Sequence, residues 1–334
     1  MITPFSITSN MLNLIIEISQ KLTELELEKE RNLLLRRNNR IYSIQSSLAI
    51  ENNTLSIEQV TNIINGKKII GAPKEICEVK NAYEAYELAF KMDPYSIDDF
   101  LTIHKLITKD LVEESGSFRN KDVGVYDESG RVVHIGARPQ YINKLVSELF
   151  ECLKNDEMPE LIKSCLIHFE IEMIHPFEDG NGRMGRLWQN LILAKWHSIF
   201  EWIPVETIVY ENQLKYYEML SIGNKENNAT MFIEFMLEAI HEIVTKYCID
   251  KNSDNGKLSL SDKLTSKELA FFYEIYPFLK DNNEISNSKA AQLSGRSPST
   301  IRRYLSKFVS LGILSAKGVN KNRKYLLIEE KPRS

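Results

Sequence analysis

The sequence contains no apolar run near the ~20 residues a membrane span needs. It shows no secretory pattern either. Residues 11–18 are apolar, but no basic stretch precedes them, Glu17 interrupts them and no small-residue cleavage site follows. Its four cysteines, Cys77, Cys152, Cys165 and Cys248, are scattered without CxxC spacing, and core thiols in a reducing cytoplasm are expected. His104, His134, His197 and His241 show no metal-ligand spacing. A net charge of −4 excludes a chain built as a whole to coat nucleic acid, so any basic surface must be local. There is no internal repeat. The 334 residues suffice for a core domain and a smaller second one.

What is present is mostly helical pattern. Through the first 250 residues apolar positions recur at spacings of three and four, with little Gly or Pro between them. Residues 12–37 form one amphipathic stretch, and a second helix is expected over 41–50, ending near Asn52-Asn53. A new start follows, with Ser56 or Thr54 as its cap. Further helices are expected over 96–108, 141–155, 161–174 and from about 183 to 196, then through 210–247. Between the first two of these the texture changes. Residues 116–139 carry several glycines and one apolar alternation, Arg131-Val132-Val133-His134-Ile135, which predicts a β-hairpin flap set into a helical body. A polar segment near 250–262 reads as a linker.

The chemistry concentrates in His175-Pro176-Phe177-Glu178-Asp179-Gly180-Asn181-Gly182-Arg183-Met184-Gly185-Arg186. Gly180 and Gly182 bracket Asn181, so successive backbone N–H groups can point one way at a helix start, which is an anion-binding arrangement. Arg183 and Arg186 lie one helical turn apart and can reach the same phosphates. Asp179 is a carboxylate beside that nest, suited to Mg²⁺ held together with phosphates. His175 ends the preceding helix and is the evident general base for a hydroxyl. Spacing alone therefore points to phosphoryl or nucleotidyl transfer.

This string resembles the Fic motif, HPFx(D/E)GNGRxxR, at every defined position, and the resemblance extends over roughly residues 40–240. It implies a mainly α fold: a Fic-type helical bundle with a β-hairpin flap, followed by a small C-terminal winged helix-turn-helix domain. The implied division is an N-terminal helical region 1–95 with an inhibitory helix at about 41–53, a catalytic core 96–249, a linker 250–264 and the winged helix 265–330. The implied activity is protein adenylyl transfer, from ATP with Mg²⁺ to a Tyr, Ser or Thr hydroxyl of a target protein or of the chain itself. His175 would take the hydroxyl proton, Asp179 would hold the metal, and Gly180, Asn181 and Gly182 would stabilise the α-phosphate. Arg183 and Arg186 would bind the β- and γ-phosphates, Phe177 would anchor the loop in the core, and His168 would play a supporting part.

The resemblance reaches further. Gly116-Ser117-Phe118-Arg119 is similar to the stretch leading into the family's flap, and Val132, Val133, His134 and Ile135 would pair with an extended target segment. Ser47-Leu48-Ala49-Ile50-Glu51-Asn52 resembles the family's inhibitory helix, (S/T)xxxE(G/N). Glu51 would pair with Arg186 and so deny that arginine to the γ-phosphate, while Ser47 would hold the helix in place. The same glutamate would alternatively position a water that removes AMP. Asn81 matches a position before a core helix and is read as structural. Asn212 and Tyr217, within a region that also holds Tyr210 and Tyr216, would contact the nucleotide. A homodimer is an expected partner state, with no membrane association and a cytoplasmic location.

From 265 onward the chain reads differently. Residues 289–305 give a helix, a Gly turn at Gly295 and a second helix with a Ser-rich start. Residues 289–324 contain many Lys and Arg and no Asp or Glu, which suits DNA, with a protein-docking or dimerisation module as the alternative. Two rival readings stay open beside AMP transfer. One is the same site removing AMP or using another nucleotide; the other is a DNA-binding regulator whose Fic site senses nucleotide.

Overall fold

The computed structural model describes residues 2–26, 33–126, 130, 132–252, 266–311, 313–318 and 323–327. It divides into two compact units, Met1–Asp250 and Lys251–Ser334.

Among the described residues, the regular structure of the first unit is helical apart from one hairpin. Helix α1 (Ser9–Glu26) buries Met11, Leu14, Ile18 and Leu22, a stripe at three- and four-residue spacing. Helix α2 (Leu33–Ile50) follows. The sequence pattern predicted a start near 41; instead the helix already runs through Asn38 and Asn39. Tertiary packing overrides their poor propensity, because Asn39 is buried together with Ile41 and Ile44 on the same element. Ser43, Ser46 and Ser47 are also buried, so small side chains let α2 sit close to the core. The turn just past its end contains Asn52, which takes a left-handed φ of 65°. Ser56 then caps α3 (Ile57–Ile64) in a full capping box with Gln59.

Helix α4 (Pro73–Ala89) contains Asn81 well inside it, where the sequence placed that residue before a helix. Its amide donates to the carbonyls of Ile107 and Lys109, so it closes the C-terminal end of α5 (Ile97–Ile107). The flap comprises β1 (Gly124–Tyr126) and β2 (Val132–Ile135), antiparallel, with Gly124 opposite Ile135 and an irregularity at Val125/Tyr126. Arg131 and residues 127–129 lie outside the described residues.

Helix α6 (Pro139–Asn155) leads to α7 (Glu160–Ile174) and α8 (Asn181–Trp196), which pack against each other at the centre. Both are buried nearly all round, as core helices are. Helix α8 starts two residues before the expected Arg183, because Gly180 at φ 87° supplies its cap. Then come α9 (Val205–Glu211), α10 (Gln213–Glu226) and α11 (Thr230–Asn252).

The second unit holds α12 (Ser266–Asn282), β3 (Glu284–Ser286), α13 (Asn287–Ser294), α14 (Pro298–Ser310), β4 (Leu314–Lys317) and β5 (Lys324–Leu327). The strands form an antiparallel sheet in the order β3-β5-β4. Gly295 at φ 64° ends α13, and Ser297 with Pro298 starts α14. Phe271, Ile275, Ile301, Leu305, Phe308 and Tyr325 make its core. The expected linker falls largely on residues 253–265, and Gly312 and residues 328–330 follow suit; all lie outside the described residues. No described helix is long and apolar enough to cross a membrane.

Candidate active site

The site forms where α7 ends and α8 begins. His175 terminates α7 in the left-handed region, φ 52° and ψ 58°, and Pro176 prevents the helix from continuing. The connecting loop is held from several sides. The Asn181 side chain accepts from Phe177 N–H and donates to Phe177 C=O, both at 2.9 Å, so its amide closes the loop on itself. Phe177 is fully buried beneath it, with its ring stacked on His104 at 3.6 Å between centroids. His104 donates from Nε2 to the Asp179 carbonyl (3.0 Å) and accepts at Nδ1 from Gly116 N–H (3.0 Å). One neutral tautomer satisfies both bonds, and burial lowers the His104 pKa to about 4.

Arg119 clamps the same loop, a role its place before the flap only hinted at. Its Nε donates to the His175 carbonyl at 2.7 Å, Nη1 to Lys121 C=O at 2.7 Å and Nη2 to Ala137 C=O at 2.5 Å. It thereby ties both feet of the flap to the base. Gly136 sits against this clamp: a Cβ there would lie 2.6 Å from Arg119 Nη2 and 3.0 Å from His175 Cβ.

His175 Nδ1 lies 3.4 Å from the Glu172 carbonyl, which can only accept. The hydrogen is therefore on Nδ1, and Nε2 carries the lone pair. Burial lowers the His175 pKa to about 4, with smaller contributions from His134 and Arg119, so the ring is neutral at ordinary pH.

Across the loop, α8 opens on Gly180 with no side-chain cap and no acidic residue in its first turn, leaving a helix N-terminus disposed toward anions. Asp179 pairs with Arg183 at 2.8 Å and accepts from Gly180 N–H. Burial alone would raise the Asp179 pKa; the Arg183 charge overcomes it and the net shift is downward. Arg183 Nε is buried without a hydrogen-bond partner. Arg186 is only 2% exposed. It donates from Nε to Ser47 Oγ (3.1 Å), and from Nη2 to Ser47 C=O (3.0 Å) and Glu51 Oε1 (2.7 Å). Burial works against its charge, and Glu51 more than offsets that, holding the pKa above the usual guanidinium value.

Glu51 Oε1 sits against the Cα of Gly182, in the space a β-carbon would fill. A carboxylate from the turn just after α2 thus rests on the first turn of α8. The structure therefore brings Ser47, Glu51, His175, Asp179, Gly180, Asn181, Gly182, Arg183 and Arg186 together. Asn212 and Tyr217, the expected nucleotide contacts, each make a hydrogen bond to a backbone carbonyl. Asn212 donates to Ile208 C=O at 2.9 Å within the α9–α10 corner. The Tyr217 hydroxyl donates to Ile50 C=O at 3.0 Å, and Gln213 donates to the same carbonyl at 2.9 Å. Both thus hold the last carbonyl of α2, one residue from Glu51. On the flap, Val132, Val133 and Ile135 are exposed, while His134 turns inward and donates from Nε2 to Met173 C=O at 2.9 Å.

Sequence reasoning passed over Glu206 and Glu172. Buried Glu206 on α9 accepts from Ser43 of α2, Tyr86 of α4 and Asn190 of α8, at 2.9, 2.7 and 2.6 Å, and so locks α2 to the core. Glu172 lies at 13% side-chain exposure beneath the pocket. For Glu172 the available signal was a pair of acidic residues, Glu170 and Glu172, in the largely apolar stretch 161–174.

A helix-terminal anion site with two arginines and a neutral base at its rim defines a class of phosphate-handling proteins. The comparisons narrow it. The family model of the Fic/DOC family matches residues 94–193. The whole chain is similar to a Fic family protein from Desulfovibrio desulfuricans G20, at 34% identity over 99% of each chain with a TM-score of 0.72. The fold is shared with Fic-1 of Caenorhabditis elegans, at 21% identity over 73% of each chain and a TM-score of 0.59. Among curated relatives, protein adenylyltransferase fic-1 of C. elegans is 27% identical over 67% of this chain and 45% of its own length. Protein adenylyltransferase Fic of Culex quinquefasciatus is 30% identical over 62% and 41%. The chain belongs to the Fic family. The matched stretch spans less than half of each of those curated relatives.

Proposed function

We propose that this chain transfers AMP from ATP to a hydroxyl side chain of a target protein, with Glu51 as an intramolecular brake. The observation that carries the reading is the Glu51 carboxylate on Arg186 at 2.7 Å, seated over the uncapped N-terminus of α8 beside a neutral His175. In the active state the triphosphate takes the place of that carboxylate. Arg186 and Arg183 hold the β- and γ-phosphates, and the amides of the 180–182 turn face the α-phosphate. His175 Nε2 takes the proton of the target hydroxyl. The oxygen forms a bond to the α-phosphorus, the bond to the β-phosphate oxygen breaks, and pyrophosphate leaves.

Asp179 offers one carboxylate beside the phosphate turn, and no cluster of three or more His, Cys, Asp or Glu occurs among the described residues. That donor set fits Mg²⁺, which is held by one or two carboxylates together with substrate phosphates and water. When bound there it would neutralise phosphate charge.

The open edge of β2 supports docking of an extended target segment by strand addition, with Arg119 fixing the flap relative to His175. For the second unit we propose a winged helix-turn-helix. Arg302 and Arg303 on the exposed face of α14 would meet a DNA backbone, while Arg296, Lys307 and Lys324 are paired with Glu274, Glu268 and Glu284. Glu51 at the α8 N-terminus also supports hydrolytic removal of AMP, in which the carboxylate orients a water whose oxygen bonds to the phosphorus as the bond to the target oxygen breaks, releasing AMP and the free hydroxyl. Mass spectrometry of the Glu51→Gly chain incubated with MgATP and lysate tests the reading. AMP adducts on Tyr, Ser or Thr support it; unmodified protein throughout contradicts it.

A further inference from the structure

Glu172 lies one helical turn before His175, and three charged or titratable elements converge on it. Glu51 faces it from the turn just after α2, Arg186 from α8, and Tyr216 and Tyr217 from α10; His168 precedes it by one turn on α7. A β-carbon on Gly182 would lie 3.2 Å from Glu172 Oε1 and 3.0 Å from Arg186 Nη1, with Glu51 Oε1 in contact on the same spot. Two carboxylates therefore crowd one guanidinium. If both were ionised, the pocket would hold an uncompensated buried negative charge.

The hydrogen bonds behind Glu172 supply a proton count. The Gln189 amide is oriented so that Nε2 donates to Cys165 Sγ and Oε1 faces His168 Nδ1 at 2.6 Å. A carbonyl oxygen only accepts, so the His168 hydrogen is on Nδ1. Its Nε2 then carries a lone pair, facing the Tyr216 hydroxyl at 2.9 Å. That hydroxyl also lies 3.0 Å from Glu172 Oε1. Tyr216 has one hydrogen for two acceptors. The chain closes when Tyr216 donates to His168 and a protonated Glu172 donates to Tyr216. His168 does not supply the missing proton, since burial and the nearby Arg186 charge lower its pKa to about 3. Burial, then the charge of Glu51, raise the Glu172 pKa to about 7 against the opposing pull of Arg186 and Tyr216.

We propose that Glu172 is a positioning residue that holds a proton whenever an anion occupies the α8 N-terminus, so that nucleotide phosphate and one proton bind this pocket together. Protonated, Glu172 leaves Arg186 to the anion above it, whether Glu51 or a phosphate. Ionised, it competes for Arg186 and repels the incoming phosphate. The inference rests on the nucleotide-transfer reading above.

The test is MgATP binding to the full-length Glu51→Gly chain, with and without Glu172→Gln, from about pH 6 to about pH 8.5. Glutamine keeps a donor for Tyr216 but cannot ionise, and the nucleotide's own titration is common to both chains. The dissociation constant should rise with pH more steeply when Glu172 is present, by about tenfold for each unit by which bound nucleotide raises its pKa. Parallel curves overturn the proposal. No nucleotide binding to either chain at any pH overturns the nucleotide reading and takes this inference with it. Should the glutamine variant not fold, carbon NMR of the Glu172 carboxyl in the Glu51→Gly chain decides the matter. A titration midpoint that rises on adding MgATP supports the proposal, and an unmoved midpoint refutes it.

Discussion

The Glu51 carboxylate meets the Arg186 guanidinium at 2.7 Å across a sequence separation of 135 residues. Arg186 is buried and Glu51 is 38% exposed on its side chain, so the pair lies at the edge of the pocket, where a competing anion can enter. Removing Glu51 leaves Arg186 with Ser47 as its remaining bonded partner from α2. Glu51→Gly should therefore melt a few degrees lower than wild type without ligand, for a loss of about 1–2 kcal/mol once solvent screening is allowed for. Saturating MgATP should raise the variant's melting temperature more than that of wild type. Thermal-shift titration measures both.

His175 is held neutral by burial, its pKa lowered from 6.5 to about 4. The basic form is thus already present above about pH 4, and it is lost as pH falls through that value. Transfer by Glu51→Gly under saturating nucleotide should show no acidic limb near pH 6.5 that belongs to His175. A pH–rate profile checks this: a limb centred near the ordinary histidine value would contradict the geometry described.

Arg119 donates to three carbonyls at 2.5–2.7 Å and joins the flap to the base. Arg119→Ala orphans those carbonyls and should cost about 2–4 kcal/mol in unfolding free energy. It should also lower transfer by at least tenfold through misplacement of His175. Arg119→Lys should recover little of either, since an ammonium cannot reproduce the planar fork. Denaturant unfolding and transfer assays on the same samples separate the two effects.

Glu206 links Ser43, Tyr86 and Asn190 in the interior. Glu206→Ala would strand three polar groups and should destabilise the chain by about 3 kcal/mol. Because Ser43 is the contact from α2, the variant should also loosen the proposed brake. Hydrogen exchange of the α2 amides should accelerate more than that of α7, and equal acceleration in both would refute a specific link.

The catalytic string was legible because glycine, arginine and histidine at fixed offsets carry their own local geometry. Gly180 at φ 87° and His175 at the end of α7 are written in the residue types themselves. The Glu51–Arg186 pair was legible only through family resemblance, since no local pattern links two residues so far apart. The start of α2 was missed because Asn38 and Asn39 read as a break when their burial against the core is unknown. Asn81 was placed before a helix and lies inside one; what it bonds to, the end of α5, exists only in the folded chain. Asn212 and Tyr217 were expected to line a nucleotide pocket, and in the structure they bond to backbone carbonyls, Tyr217 to the end of α2 itself. Glu172 and Glu206 escaped notice because an acidic residue in a helix reads as solvent-facing until its neighbours are known.

The proposed brake rests on one carboxylate, Glu51, at the mouth of this pocket. The direct measurement is transfer of label from ATP carrying it on the α-phosphate, with Mg²⁺ and lysate as target. Three chains are compared: wild type, Glu51→Gly, and Glu51→Gly combined with His175→Ala. Wild type should label weakly, the single variant strongly and the double variant not at all. Equal labelling by wild type and Glu51→Gly would contradict the brake, and absence of label from all three would contradict AMP transfer itself.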